Sequence, residues 1–166
     1  MDSLDFAKLH ADCETSHRFM VIYRIYSRSW DEAKAAAWNI AIEQSVECPY
    51  CMVEGTTIAD TIVGKIEQLS PDGPEHYLAV ISYTPEAVGA EFTEFINMLF
   101  GNSSLQKGVR LIAFCLPDEM NHTFPGPRFG QDGIRQLTGI HQAPILMSAI
   151  KPLGTPVSRL ARMVYD

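Results

Sequence analysis

The fold is indicated by two stretches that share one pattern, YRIYSRSWDEAKAAAWNIAIEQ at residues 23–44 and AVISYTPEAVGAEFTEFINML at residues 79–99. Each begins with the β-branched and aromatic residues typical of a strand and ends in an apolar stripe at helical spacing. In the first stretch, Ser29 and Glu32 have the spacing of a capping box at the start of a helix. In the second, Thr84 is followed by a proline, which is favoured at the first helical position. Two such halves predict a layered α+β fold.

Four strands and two helices follow from the same patterns. The strands are predicted at 18–27, 62–69, 76–83 and 108–116, and the helices at 29–46 and 84–101. The order strand, helix, strand, strand, helix, strand predicts a ferredoxin-like sandwich, in which both helices cover one face of an antiparallel sheet. The first strand is mostly apolar on both faces, which indicates a central position in the sheet. Residues 1–17 are predicted to form a loose arm or a short helix, so the domain spans residues 18–120.

The last part of the chain does not fit inside this sandwich. Residues 121–143 are predicted to be a connector that contains a short helix, and residues 144–166 to be one strand and one helix. The run Ile145–Ile150 (ILMSAI) is almost continuously apolar, as expected of a parallel strand buried on both faces. A single parallel βα unit needs neighbouring strands. We therefore expect this chain to be the amino-terminal part of a larger α/β protein, or its tail to pair with another copy.

Composition excludes some classes of function. The chain has 166 residues, with 13 Lys and Arg against 20 Asp and Glu, which gives a net charge of −7. That balance argues against nucleic-acid binding as the main function, because phosphate neutralisation needs clustered cations. No apolar run approaches the length of a transmembrane helix, so no membrane partner is expected. Four cysteines are too few for a disulfide scaffold and indicate a cytoplasmic protein.

Four stretches together resemble a known family. FPGPRFGQDGIRQLTGIHQAPILMSAIKPLG (residues 124–154), the first predicted strand (18–27), AIEQS (41–45) and FGNS (100–103) resemble the RuBisCO large-chain superfamily, and within it the RuBisCO-like proteins. The resemblance covers residues 18–166, about the first third of such an enzyme. It implies a ferredoxin-like domain that leads into a (β/α)8 barrel, here truncated after its first strand and helix. It also implies a head-to-tail homodimer or higher homo-oligomer, with each active site between one subunit's barrel and its partner's amino-terminal domain.

Three residues are candidates for the site. Lys151 directly follows the predicted buried strand, where desolvation lowers a lysine pKa and makes it a usable base; by resemblance it is the catalytic lysine that moves a substrate proton. By resemblance, Glu43 reaches across the dimer to a mobile barrel loop, and Asn102 hydrogen-bonds substrate near the metal. The structural alternatives are a solvated lysine, a solvated glutamate and an ordinary asparagine at a helix end.

The resemblance implies Mg²⁺-assisted enolisation of a phosphorylated five-carbon sugar, with 5-methylthioribulose 1-phosphate isomerase of methylthioadenosine salvage as the favoured reaction. A decarboxylase or enolase of a related sugar-acid or diketo phosphate is the alternative. The Mg²⁺ ligands are expected outside this chain, so these 166 residues alone should be inactive. The chain has Cys48 and Pro49 where the carboxylase has a threonine and a tryptophan that contact phosphate, and it lacks a second lysine after Lys151. Both departures favour a RuBisCO-like enzyme over a CO₂-fixing one.

Two other classes of function stay open at this stage. The chain could be a stand-alone ferredoxin-like module that oligomerises through its tail. Alternatively, Cys48-Pro49-Tyr50-Cys51 has the CxxC spacing of a thiol oxidoreductase. Such a pair normally opens a helix, whose amino terminus lowers the thiol pKa. Here it follows a predicted helix, and no amphipathic helix follows it, which argues against redox activity.

Overall fold

A computed structural model describes residues 5–124, 126–146 and 156–165 and divides the chain into two units, Met1–Pro125 and Gly126–Asp166. In chain order, the regular elements are α1 (Phe6–Ser16), β1 (Phe19–Tyr26), α2 (Trp30–Glu43), α3 (Thr57–Thr61), β2 (Lys65–Pro71), β3 (His76–Tyr83), α4 (Phe92–Phe100), β4 (Val109–Cys115), α5 (Asp118–Asn121), α6 (Gly130–Thr138) and α7 (Val157–Tyr165). Short 3₁₀ turns lie at Tyr50–Met52, Pro85–Ala87 and Asn102–Leu105. Among the described helices, none is long and apolar enough to cross a membrane.

The first unit contains a four-stranded sheet with the strand order β2-β3-β1-β4, and every neighbouring pair is antiparallel. This is the order of a ferredoxin-like sandwich, so the predicted fold class is confirmed. β1 is an inner strand, as its two apolar faces predicted, and five of its first six residues are buried. β2 begins at Lys65, three residues later than predicted, and forms one edge of the sheet.

One face of the sheet packs against α2 and α4 and forms the main core. Its centre consists of alternate residues of β1 and β3 and the apolar stripes of the two helices: Phe19, Val21, Tyr23, Ile25, Ala37, Ile40, Ala41, Ala79, Ile81, Tyr83, Phe95, Met98 and Leu99. The alternation follows from the two-residue period of a strand, which turns every second side chain toward the helices. The two helices therefore have fixed positions over the sheet.

The opposite face of the sheet is covered in part by α1. The sequence predicts either a loose arm or a short helix here, and the structure shows the helix. Asp5 begins the helix, because its carboxylate accepts hydrogen bonds at 3.1 Å from the backbone N–H groups of Ala7 and Lys8. Leu9 and Cys13 are buried against residues of β1 and β3. Burial raises the pKa of the Cys13 thiol from 9.0 to about 12.

The start of α2 matches the prediction, whereas the start of α4 does not. Ser29 caps α2, with its hydroxyl accepting from the Glu32 N–H at 3.2 Å. The Glu32 carboxylate accepts from the Arg28 N–H rather than from that of Ser29. The prediction that Thr84 caps a continuous second helix is wrong: only a 3₁₀ turn follows it, and α4 begins at Phe92. The chain leaves the helical path at Gly89, whose φ of +55° lies in the left-handed region.

The second unit contains α6 and α7. α6 agrees with the helix predicted within the connector. The Arg135 guanidinium donates to the carbonyl oxygens of Ile140 and Ala143 at 3.0 and 3.2 Å, which holds the segment after α6. Of the predicted strand Ile145–Ile150, residues 147–150 lie outside the described residues, as does Lys151; Leu146 is exposed and not part of a strand.

Candidate functional site

Two of the predicted site residues meet. Glu43 is the last residue of α2, and Asn102 follows α4 after a single glycine. The Asn102 side-chain amide donates a hydrogen bond of 2.8 Å to Glu43 Oε1, although the two residues are 59 positions apart in the sequence. Asn102 is exposed and Glu43 is half-buried. The pair therefore presents one carboxylate oxygen, one amide N–H and one amide oxygen at the surface.

Gln44 fixes the distance between the two helix ends. Its side chain is 6% exposed, and its amide nitrogen donates to the carbonyl oxygens of Asn97 (3.2 Å) and Met98. Its amide oxygen accepts from the Ser103 N–H at 3.4 Å. The last carbonyls of a helix have no partner within the helix, so a neighbouring side chain has to satisfy them where water is excluded. Gln44 does this for α4 together with the Gly101 N–H and the Tyr23 hydroxyl, and it thereby places Asn102 beside Glu43.

Gly101 makes the sharp turn between α4 and Asn102 possible. A Cβ atom at this position would lie 2.4 Å from the Asn97 carbonyl oxygen, closer than any side chain can approach. The Tyr23 hydroxyl reaches the same helix end from the sheet, where it donates to the Met98 carbonyl oxygen at 3.4 Å. Burial raises the pKa of Tyr23, so this hydroxyl remains a neutral donor. The turn that carries Asn102 is thus fixed from the core.

The family resemblance assigns Gln44 no role, but its position on the buried stripe of α2 indicates one. The buried positions of α2 are Ala33, Ala37, Ile40 and Ala41, and Gln44 continues this stripe one turn after Ile40. An amide on a buried stripe has to be hydrogen-bonded, because burial of an unpaired polar group is costly. The helical spacing therefore marks Gln44 as a positioning residue.

An open groove of about 400 Å³ adjoins Glu43. Trp38 and Tyr50 contact each other along it with ring centroids 5.3 Å apart, and Cys48 lines it as well. The lining includes the carboxylates of Glu43 and Glu47 and, among the described residues, no lysine or arginine. A negatively charged groove repels phosphate. This agrees with the presence of Cys48 and Pro49 in place of the two residues that contact phosphate in the carboxylase.

The CxxC pair lacks the environment of a redox centre. Cys48 is half-buried and Cys51 is exposed, and both thiols are free. The pair leads into the three-residue turn Tyr50–Met52 instead of opening an α-helix. A turn of that length provides little of the helix dipole that activates such thiols.

A magnesium site is not offered by the residues around Glu43. Among the described residues, a group of three potential metal ligands is formed by His10, Glu14 and Asp118, and it includes neither Glu43 nor Asn102. Magnesium prefers several oxygen ligands in octahedral geometry, whereas the Glu43–Asn102 pair supplies one carboxylate that already accepts a hydrogen bond. The described residues at this site therefore do not form a magnesium cage by themselves.

Comparisons with known proteins agree with this architecture. The chain is 36% identical over 152 residues to the ribulose bisphosphate carboxylase-like protein 1 of Rhodopseudomonas palustris, covering 92% of the chain and 41% of that protein. It is 34% identical over 145 residues to the 5-methylthioribulose-1-phosphate isomerase of Rhodospirillum rubrum, covering 87% of the chain and 38% of that protein. The crystal structure of the Rubisco-like protein from Rhodopseudomonas palustris superimposes with a TM-score of 0.57 at 37% identity, over 82% of the chain and 37% of that structure. No family model matches the chain.

These matches define a class and a branch within it. The chain belongs to the RuBisCO large-chain superfamily, in the branch of the RuBisCO-like proteins. It spans about two-fifths of the length of the curated relatives named above. A shorter match, 44% identical over 71 residues, is the 2,3-diketo-5-methylthiopentyl-1-phosphate enolase of Geobacillus kaustophilus. The predicted family is thus confirmed, and its curated members include both an isomerase and an enolase.

Proposed function

We propose that this chain is the amino-terminal part of a RuBisCO-like enzyme that acts by Mg²⁺-assisted enolisation, and that its substrate is 5-methylthioribulose 1-phosphate. The isomerase from Rhodospirillum rubrum supports this substrate, because its match extends along most of the chain. The observation that carries the proposal is the hydrogen bond between Asn102 and Glu43, since the family resemblance assigns both residues to the substrate side.

In this proposal, Asn102 binds the substrate, and Glu43 orients the Asn102 side chain. One N–H of the Asn102 amide donates to Glu43, which leaves a second N–H and the amide oxygen for a substrate hydroxyl or carbonyl. The carboxylate also fixes which way the amide points. Asn102 thereby presents a donor of known direction to an oxygen that becomes more negative as the substrate enolises, which is the arrangement that lowers such a barrier.

The proton transfer itself is assigned by resemblance to Lys151. A neutral lysine amine takes the proton from the carbon next to the substrate carbonyl, and return of a proton to the neighbouring carbon completes an isomerisation. Bound Mg²⁺ would supply the neutralisation of the enediolate oxygen. We propose that its ligands lie on barrel strands outside this chain, because the described residues at the Glu43–Asn102 site do not form a cage for it.

We also propose a domain order and an assembly. The order is an amino-terminal segment (1–17) whose helix α1 packs on the sheet, a ferredoxin-like domain (18–120), a connector (121–143) and the first strand and helix of a barrel (144–166). Asn102 is exposed, so it is accessible to a second subunit. In a homodimer or a higher homo-oligomer, the barrel of a partner subunit would close over the Glu43–Asn102 pair.

The four free thiols are compatible with a cytoplasmic location.

The second candidate reaction is the enolisation of a 2,3-diketo phosphate. It is supported by the higher identity, over a shorter stretch, to the enolase of Geobacillus kaustophilus. Both reactions need a base and a stabilised enediolate, so the amino-terminal residues serve either one. The barrel residues are expected to select between them.

The test is a comparison of the two phosphates as substrates for the full-length protein that contains this chain, with Mg²⁺ present. We expect turnover of 5-methylthioribulose 1-phosphate to exceed that of the diketo phosphate. A preference for the diketo phosphate would establish the second candidate, and turnover of neither substrate would contradict both. The isolated 166 residues, assayed in parallel, should show no turnover of either compound.

A further inference from the structure

The face of the sheet that α1 covers only in part carries two arginines opposite each other. Arg24 of β1 pairs in register with Arg110 of β4, so the two side chains leave the sheet on the same face. Side chains at such positions start about 5 Å apart, and like charges there are destabilising. α1 packs on the other half of this face, around Met20 and Ile22, and leaves the Arg24 half open.

Only part of this positive charge is neutralised within the described residues. Asp72 pairs with Arg24 through contacts of 2.7 and 2.6 Å to its Nε and Nη2 atoms. The side chains of Arg28, Lys107 and Arg110 make no hydrogen bond or ion pair with another described residue. These three cations are exposed, in a chain whose net charge is −7.

The unpaired cations line one cavity. A cavity of about 620 Å³ is lined by Arg24, Arg28, Lys107 and Arg110, and Tyr26 and His76 contribute to its wall. This volume lies within the range of small-molecule sites. The two rings contact each other edge to face at 5.6 Å. The Pro74 carbonyl oxygen accepts from His76 Nδ1 at 2.8 Å, which fixes the orientation of the ring in the cavity wall.

We propose that this cavity, the cationic shelf of β1 and β4, binds a small phosphorylated anion. Guanidinium groups bind phosphate oxygens in a bidentate manner, and an anion between Arg24 and Arg110 would remove their mutual repulsion. The Asp72 carboxylate satisfies one arginine and leaves a group of three neighbouring cations, which suits a ligand with two or more negative charges. The shelf shares no residue with the Glu43–Asn102 pair.

The experiment is a calorimetric titration of the 166-residue chain with inorganic pyrophosphate, at constant low ionic strength so that screening is weak. We expect saturable binding with one site per chain. Arg110→Gln and Lys107→Gln should each weaken the affinity about tenfold, as the loss of one charge-assisted contact would. Lys34→Gln removes the same charge from an exposed position on α2 and should bind like the parent chain. Citrate, a carboxylate anion of similar charge, should bind more weakly than pyrophosphate.

Three results would overturn the proposal. The first is a titration that does not saturate by about 10 mM pyrophosphate, a concentration that already corresponds to very weak binding. The second is an equal loss of affinity in Lys34→Gln, which would indicate a general charge effect. The third is a chain that self-associates at low salt and binds no pyrophosphate. If both shelf variants abolished that self-association, the shelf would be a contact surface between copies of the chain. Thermal unfolding followed by circular dichroism confirms that each variant is folded.

Discussion

Removal of the Gln44 side chain should cost much of the stability of the first unit. Gln44→Ala removes a donor from the carbonyl oxygens of Asn97 and Met98, which keep the Gly101 N–H and the Tyr23 hydroxyl as donors. It also removes the acceptor of the buried Ser103 N–H. Gln44 is 6% exposed, so water cannot fully replace it. A buried polar group left without its partner costs about 1–3 kcal/mol. Because the Ser103 N–H is the group that loses its partner, we expect the free energy of unfolding to fall by about 1–3 kcal/mol, a substantial part of the total for a domain.

Urea unfolding followed by circular dichroism measures this loss. Asn39→Ala is the matched control, because it truncates an exposed amide on the same helix, and its effect should be within about 0.5 kcal/mol. Gln44→Glu keeps the shape but turns a carboxylate oxygen toward carbonyl oxygens. Burial raises the pKa of a carboxyl in that position, so this variant should gain stability as the pH falls and lose it as the pH rises. A Gln44→Ala protein as stable as the control would refute the account of how Asn102 is positioned.

Three further predictions concern single residues. Gly101→Ala should destabilise the first unit by about 2 kcal/mol or more in urea unfolding, because its Cβ would lie 2.4 Å from the Asn97 carbonyl oxygen; an unchanged midpoint would contradict this. Arg110→Gln removes the cation opposite Arg24 without adding a charge and should raise the free energy of unfolding by about 0.5 kcal/mol at low ionic strength, whereas a loss of stability would contradict the repulsion between the two arginines. The raised pKa of Cys13 means that the unfolded chain ionises first, so its contribution to stability is complete below pH 9.0 and is lost as the pH rises toward about 12. Cys13→Ala should make the unfolding free energy less dependent on pH in that window, and an unchanged dependence would exclude the thiol as its source.

The sandwich could be predicted because its signals are local and mutually consistent. The apolar faces of β1 and the Ser29 cap each indicate an element without any knowledge of the rest. The start of α4 could not be predicted, because Thr84 and its proline are equally suited to a single 3₁₀ turn, and the positive φ at Gly89 decides between them. Only the tertiary structure shows that α1 is a helix that buries Leu9 and Cys13 on the second face.

The candidate site was predictable in part. The family resemblance indicates Glu43 and Asn102, but no spacing in the sequence indicates that they meet, because a contact across 59 residues depends on how two helices pack. Gln44, which brings those helix ends together, lies next to Glu43, and its place on the buried stripe of α2 indicates burial but not which groups it binds. Lys151 lies outside the described residues, so its catalytic role stays a prediction.

The most direct test of the proposed function is the enolisation step, measured as exchange of the substrate's carbon-bound proton with deuterium in the full-length protein that contains this chain. Asn102→Ala should slow this exchange by about a hundredfold, the usual cost of one donor to a developing oxyanion. Gln68→Ala, which removes an exposed amide on β2, should leave it unchanged. Exchange at the parent rate in Asn102→Ala would contradict the assignment of the Glu43–Asn102 pair to the active site.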